Sequence, residues 1–247
     1  MADLAIIGGT GLTSLKGLEI IRKEVVHTPY GEPSGPLVHG LLAGKEVIFL
    51  PRHGAAHTIP PHRINYRANI WALKLMEVKR VVAVAAVGGI GAEAHPSAIV
   101  IPDQIIDYTW SRTSTFFDEN LTQVTHVDFT YPYCAKLRKM LVDSGREINI
   151  DLSDRGVYGA TQGPRLETAA EINRLAHDGC TLVGMTGMPE AALARELDLS
   201  YACCAVVANW AAGRGDGSEI TMAEIERHLK SGMEKVRHLL EHLVPKL

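Results

Sequence analysis

The sequence predicts an α/β protein of three layers, a central sheet covered by helices on both faces, and three observations carry this expectation. Six stretches are apolar almost throughout and do not alternate: LAIIGG (4–9), EVIFL (46–50), RVVAVAAVGGI (80–90), AIVIPDQIID (98–107), CTLVGMT (180–186) and LSYACCAVVANW (199–210). Strands buried on both faces have that composition, whereas strands with one wet face alternate. Segments between them repeat apolar residues at three and four, as amphipathic helices do. Finally, 247 residues with 46% hydrophobic and 21% charged content suffice for one sizeable core, so residues 1–247 are assigned to one domain.

The first strand runs into GGTGL (8–12), where glycines permit close backbone approach and Thr10 offers a hydroxyl to an anion. A dinucleotide fingerprint is the rival reading: Gly9 and Gly11 supply its first two glycines, but Ser14 stands where the third belongs. A plain structural turn is the other alternative. The second strand leads into PRHGAAHTIPPHRINYRANI (51–70), which holds Arg52, His53, His57, His62 and Arg63. Guanidinium and imidazole donors beside a strand end suit phosphate or carboxylate, and solvated loop charge is the bland reading. His53 and His57 stand four apart, yet Gly54 follows His53 and no glutamate lies between them, so the zincin pattern fails and no metal is expected.

NYRANIWALKLMEV (65–78) carries Ile70, Leu73 and Met76 at helical spacing. In GATQGPRLETAAE (159–171) a Gly-Pro bend leads to Glu167 at the expected start of a helix that a glycine ends at 179. A carboxylate there can accept from ring N–H groups, although a helix N-terminus favours Glu for its dipole alone. GMTGMPE (184–190) places Thr186 to meet an anion and Met185 to lie against an apolar ligand face, or simply in the core. The last apolar run delivers Asn209, whose amide can both donate to a ring carbonyl and accept from a ring N–H. GRGDGSE (213–219) follows as a candidate lid, and residues 220–244 read as a long amphipathic helix with Thr221 as N-cap and Glu224 at the capping-box position.

A net charge of −3 with no basic stripe speaks against nucleic acid or an anionic membrane as partner, and a small molecule is the better expectation. MADLAIIGGTGL lacks the basic start of a signal peptide, and no apolar run approaches the ~20 residues of a membrane span. The four cysteines include no CxxC pair, and Cys203 and Cys204 are adjacent within a strand, which sends them to opposite faces as small buried side chains. A reducing, cytoplasmic setting is expected.

Taken in order, GGTGL, RHGxxHT followed by NYRANIWAL, VGGI, GPRxET, GMTxMPE and a strand ending in Asn209 make the chain resemble, from end to end, the trimeric purine nucleoside phosphorylases, and most closely their methylthioadenosine phosphorylase branch. The resemblance implies a mixed central sheet and a reaction in which phosphate attacks C1′ of a purine nucleoside, releasing base and sugar 1-phosphate, with inorganic phosphate as co-substrate and no cofactor. It assigns phosphate to Thr10, Arg52, His53 and Thr186, with Ala86 nearby, and gives catalytic roles to His53 and Asn209. It places Leu166, Glu167 and Asn209 at the purine and Met185 beneath the ribose. His57, Ile220, Met222 and Ile225 fall at the 5′ end, and His126 is expected to reach a neighbouring subunit's site in a homotrimer.

Methylthioadenosine phosphorylases have Asp at the position of Asn209 and a further Asp at that of Ala211, whereas inosine- and guanosine-cleaving relatives have Asn with a Glu like Glu167. The base is therefore expected to be a 6-oxopurine. The apolar character of Ile220, Met222 and Ile225 suits a thioether, and a 5′-methylthio derivative of inosine combines both ends. Inosine or guanosine, and methylthioadenosine, are the alternatives, with a nicotinamide oxidoreductase resting on GGTGL alone.

Overall fold

Strands that are apolar on both faces belong in the middle of a molecule, and the computed structural model, which describes residues 2–119, 121–217 and 219–247, places them there. Among the described residues, eleven strands form one mixed sheet: β1 (Leu4–Gly8), β2 (Glu19–Glu24), β3 (Leu37–Leu42), β4 (Lys45–Pro51), β5 (Arg80–Gly89), β6 (Ile99–Val100), β7 (Gln104–Asp107), β8 (Leu152–Ser153), β9 (Val157–Ala160), β10 (Leu182–Gly184) and β11 (Ser200–Trp210). The main path runs β2-β3-β4-β1-β5-β10-β9-β7, and β11 pairs with both β5 and β6. β1, β4, β5 and β11 are mutually parallel neighbours, so their carboxyl ends open on one edge, where open α/β sheets bind ligands.

The helices are α1 (Tyr66–Leu75), α2 (Ala135–Glu147), α3 (Ala169–His177), α4 (Gly187–Glu196) and α5 (Met222–Leu243). Ala5, Ile7, Val81, Ala83 and Cys203 face α1 and α4, whereas Leu4, Ile6, Val82, Val84 and Cys204 face α2 and α5. The two adjacent cysteines therefore serve opposite cores, as the strand period requires. Leu229, Met233, Val236, Leu239, Leu240 and Leu243 bury one stripe of α5, each worth roughly 1.5–3 kcal/mol. Among the described residues no helix is long and apolar enough to cross a membrane.

Every predicted strand stretch holds a strand, but the run at 98–107 divides into β6 and β7 around Pro102, which has no N–H for a ladder. Thr221 caps α5 by accepting from the Glu224 amide, but Glu224 takes the Thr221 hydroxyl hydrogen instead of closing a full box. The complete box belongs to α3, where Thr168 and Glu171 satisfy each other. Of the candidate lid at 213–219, Ser218 lies outside the described residues; Gly215 packs so closely on Trp210 that a Cβ would stand 2.5 Å from the indole.

Candidate active site

A cleft of about 170 Å³ opens at the carboxyl ends of the parallel strands, walled by the loops after β1 and β4, the ends of β5 and β11, and the turn after β10. It gathers Thr10, Arg52, His53, Ala86, Leu166, Glu167, Met185, Thr186, Asn209, Ile220 and Ile225 from separate parts of the sequence. A second hollow of about 440 Å³ shares Asn209 and Ile220 as walls and continues past Trp210, Arg214 and His228.

At one end, Gly9 lets the chain pass so near that a Cβ would meet Arg52 Nη1 at 2.8 Å, and Gly11 takes the left-handed turn at φ 82°. Arg52 is fully buried, and its Nε and Nη2 donate to the two carboxylate oxygens of Glu190 at 2.7 and 2.8 Å. Nη1 donates to Val84 O at 2.8 Å. Burial works against the guanidinium charge, but the pull and hydrogen bonds of Glu190 outweigh it and hold Arg52 firmly protonated. The fork expected to grip an oxyanion is thus mostly engaged, with one hydrogen on each of Nη1 and Nη2 unclaimed among the described residues.

His53 differs from expectation in polarity. Its Nδ1–H donates to Ile59 O at 2.8 Å, while burial and then the charge of Arg52 push its pKa down to about 4. The ring is neutral and presents Nε2 as an acceptor. His57, expected at the 5′ end, instead lies tilted at 46° against the His53 ring, 4.6 Å between centroids, with its Nε2 3.5 Å from Thr10 Oγ1. The β4 loop turns back through a left-handed residue at His57, φ 54°, and that turn carries the ring to Thr10 and His53. Thr186 precedes α4 with its hydroxyl making no capping bond; its N–H donates to Tyr158 Oη at 3.4 Å, and the extended backbone of Met188 (φ −119°, ψ 140°) sets it apart from the continuous part of the helix.

At the other end, Gly163 presses on Met185, whose sulfur lies 2.4 Å from where a Cβ would be. Glu167 accepts from Thr161 Oγ1 at 2.6 Å. It precedes the N-cap Thr168, so it is not part of the helix; the first-turn acid is Glu171, which also pairs with Arg165. The pairing of β11 with β5 shifts between Val207 and Asn209, a bulge of the kind that re-aims side chains beside sites. Asn209 Nδ2 donates to Trp210 O at 2.7 Å, leaving Oδ1 and one N–H without a partner among the described residues.

The end of the cleft formed by Ile220 and Ile225 departs further from expectation. Ile220, Ile225 and Leu229 line the cleft, but Met222 does not and is 67% exposed. It shares the helical face of Ile225 and Leu229 one turn beyond the cavity, so the position matched by the resemblance falls just outside it. His126 is exposed and outside this chain's own cleft.

Sequence reasoning missed Glu190 and Arg112. Glu190 is fully buried and also accepts from Tyr201 Oη at 2.8 Å. Its signal was available: a lone acid in the small, apolar stretch GMPEAAL. Arg112 sits in the polar loop SRTSTFF, whose pattern carries no cue.

The model of the Phosphorylase superfamily matches residues 3–245. A Xylella fastidiosa protein named Probable S-methyl-5′-thioinosine phosphorylase is 57% identical over 222 residues, 90% of this chain and 94% of the relative. One of the same name from Pseudomonas syringae pv. tomato is 54% identical over 244 residues, 99% of each chain. The 6-oxopurine nucleoside phosphorylase of Pyrococcus furiosus is 45% identical over 250 residues, 99% of this chain and 93% of that one. Among solved structures, methylthioadenosine phosphorylase from Schistosoma mansoni in complex with adenine superposes with a TM-score of 0.94 at 30% identity, covering 100% of this chain and 92% of its own.

Proposed function

The chain belongs to the phosphorylase superfamily, and on that premise we infer that it is a nucleoside phosphorylase cleaving S-methyl-5′-thioinosine with inorganic phosphate to hypoxanthine and 5-methylthioribose 1-phosphate. A phosphate oxygen bonds to C1′ as the bond from C1′ to N9 breaks, and the electron pair passes into the purine. Such a reaction is accelerated by holding the nucleophile in line and stabilising charge on the leaving base.

The observation that carries the substrate is the pair of Glu167 and Asn209 in one cleft whose far wall is Ile220, Ile225 and Leu229. The Glu167 oxygen not held by Thr161 accepts N1–H of a 6-oxopurine, a hydrogen that adenine lacks. The proton that monohydrogen phosphate loses on forming the ester passes through water to N7 of the departing base; Asn209 Oδ1 accepts that N7–H, and its second Nδ2 hydrogen donates to O6. Arg52, Thr10 and Thr186 hold the phosphate, and neutral His53 accepts the hydrogen of monohydrogen phosphate at Nε2. No cofactor takes part on this reading.

A homotrimer is proposed as the working assembly, with His126 of each subunit completing a neighbour's 5′ end. A cytoplasmic setting agrees with four free cysteines, three of them buried. The test is release of hypoxanthine or adenine from methylthioinosine, inosine and methylthioadenosine, with and without phosphate. Phosphate-dependent preference for methylthioinosine is expected. Preference for inosine would overturn the apolar wall, and faster adenine release would overturn the Glu167 and Asn209 assignment.

A further inference from the structure

We propose that Arg112 is a positioning residue that locks three walls of the cleft into one geometry, an inference that rests on the phosphorylase reading above. Its Nη1 donates to Met185 O and Met188 O, each at 2.7 Å, on either side of Thr186. Its Nη2 donates to Thr161 O at 3.2 Å and Gln162 O at 2.7 Å, and its Nε to Gln162 Oε1 at 3.1 Å. Thr161 is the residue whose hydroxyl holds Glu167, so one guanidinium ties the base-reading loop to the ribose and phosphate turn. Nη1 also reaches Tyr66 Oη at 3.3 Å, and that hydroxyl donates to Pro61 O, a residue of the cleft wall.

The side chain type is chosen by this task. A planar fork serves several carbonyls on two edges at once, whereas an ammonium has three donors on one point. All of these acceptors are neutral oxygens, and among the described residues Arg112 has no carboxylate within ion-pair distance, unlike Arg52. Its charge is therefore used to hold backbone, not to neutralise an acid. Arg112 does not line the cleft itself, but it lines a separate surface hollow of about 320 Å³ with Tyr66 and His62. Solvent-side access to the guanidinium site follows from that hollow.

The experiment uses the full-length chain and hypoxanthine release from methylthioinosine, with methylthioinosine and phosphate varied in turn. Arg112→Ala is expected to lose on the order of 100-fold in kcat/KM, the cost of misplacing reacting groups by about an ångström. The KM for nucleoside should rise more than that for phosphate, because Thr10 and Arg52 are held independently. Free guanidinium below denaturing concentration should restore part of kcat to Arg112→Ala and none to Arg112→Lys, whose side chain still fills the site. Arg112→Lys should fold and lose at least ~10-fold, as a bidentate site does when the fork is replaced.

Full activity in either variant overturns the proposal, as does loss without guanidinium recovery or a failure of both variants to fold, which would make Arg112 a folding residue. A wild-type chain that releases no hypoxanthine with phosphate would instead sink the phosphorylase reading, whatever the variants do.

Discussion

Replacing Glu190 with Gln removes the charge from a carboxylate that is wholly buried against Arg52 and keeps nearly the same shape. The carboxamide can still accept from Tyr201 and from one Arg52 N–H through its oxygen. Its NH2 then faces the second guanidinium hydrogen, so one charge-assisted bond is lost and a buried cation is left uncompensated. Hydrogen bonds to charged groups contribute about 1.5–3 kcal/mol, and breaking a buried pair from one side costs about 3–5 kcal/mol in total. The expected loss on Glu190→Gln is therefore about 3–5 kcal/mol in urea unfolding without phosphate.

Two controls separate this from a packing defect. The double variant Arg52→Gln with Glu190→Gln leaves no buried charge and should recover part of the loss. Phosphate at about a hundred times its dissociation constant stabilises any single-site binder by about 2.7 kcal/mol, and the gain should be larger in Glu190→Gln, where the anion supplies the missing charge. A loss below about 1 kcal/mol, or a double variant as unstable as the sum of its parts, would refute the assignment of Glu190 as the counter-charge that keeps Arg52 in place.

Asn209→Asp should raise kcat/KM for methylthioadenosine relative to methylthioinosine, and an unchanged ratio of specificity constants would mean the base binds elsewhere. Ile225→His should improve inosine relative to its methylthio analogue by roughly 10- to 200-fold, the range of ~1–3 kcal/mol at a pocket wall; competition between the two substrates reads this directly. His53 has a folded pKa of about 4 against an ordinary 6.5, so the unfolded chain binds more protons between those values. Stability is accordingly present above about pH 6.5 and falls as pH drops toward 4, and urea midpoints of His53→Gln should show a shallower decline.

β5 and β11 were readable because burial on both sides keeps their middles apolar, with Arg80, Ser200 and Asn209 confined to the ends, and Cys203 and Cys204 fell on opposite cores by strand period alone. β2 escaped notice because EIIRKE is exposed along nearly its whole length, and α2 because its apolar stripe is thin among charges. At the site, residue types in their loops pointed to the cleft, but the partners that set their chemistry lie far along the chain. Arg52 and Glu190 are separated by 138 residues, and no local pattern states that they meet. The placement of His57 turned on a left-handed turn, and that of Met222 on where the cavity ends along α5, neither of which spacing encodes.

The bulge at Ala208 has a consequence for how this enzyme can change. From Tyr201 to Ala208 each residue of β11 fills one core or the other, so nearly any replacement there leaves a void or a clash. Asn209 lies just past the slipped register, half-buried and belonging to neither core. On the proposed assignment of Asn209 to the nucleobase, a position that reads the base but fills no interior volume is open to substitution at little cost in stability. The choice of base is thus free to drift by single amino-acid exchanges on an unaltered scaffold, and new substrate preferences can arise without a compensating repair elsewhere in the chain.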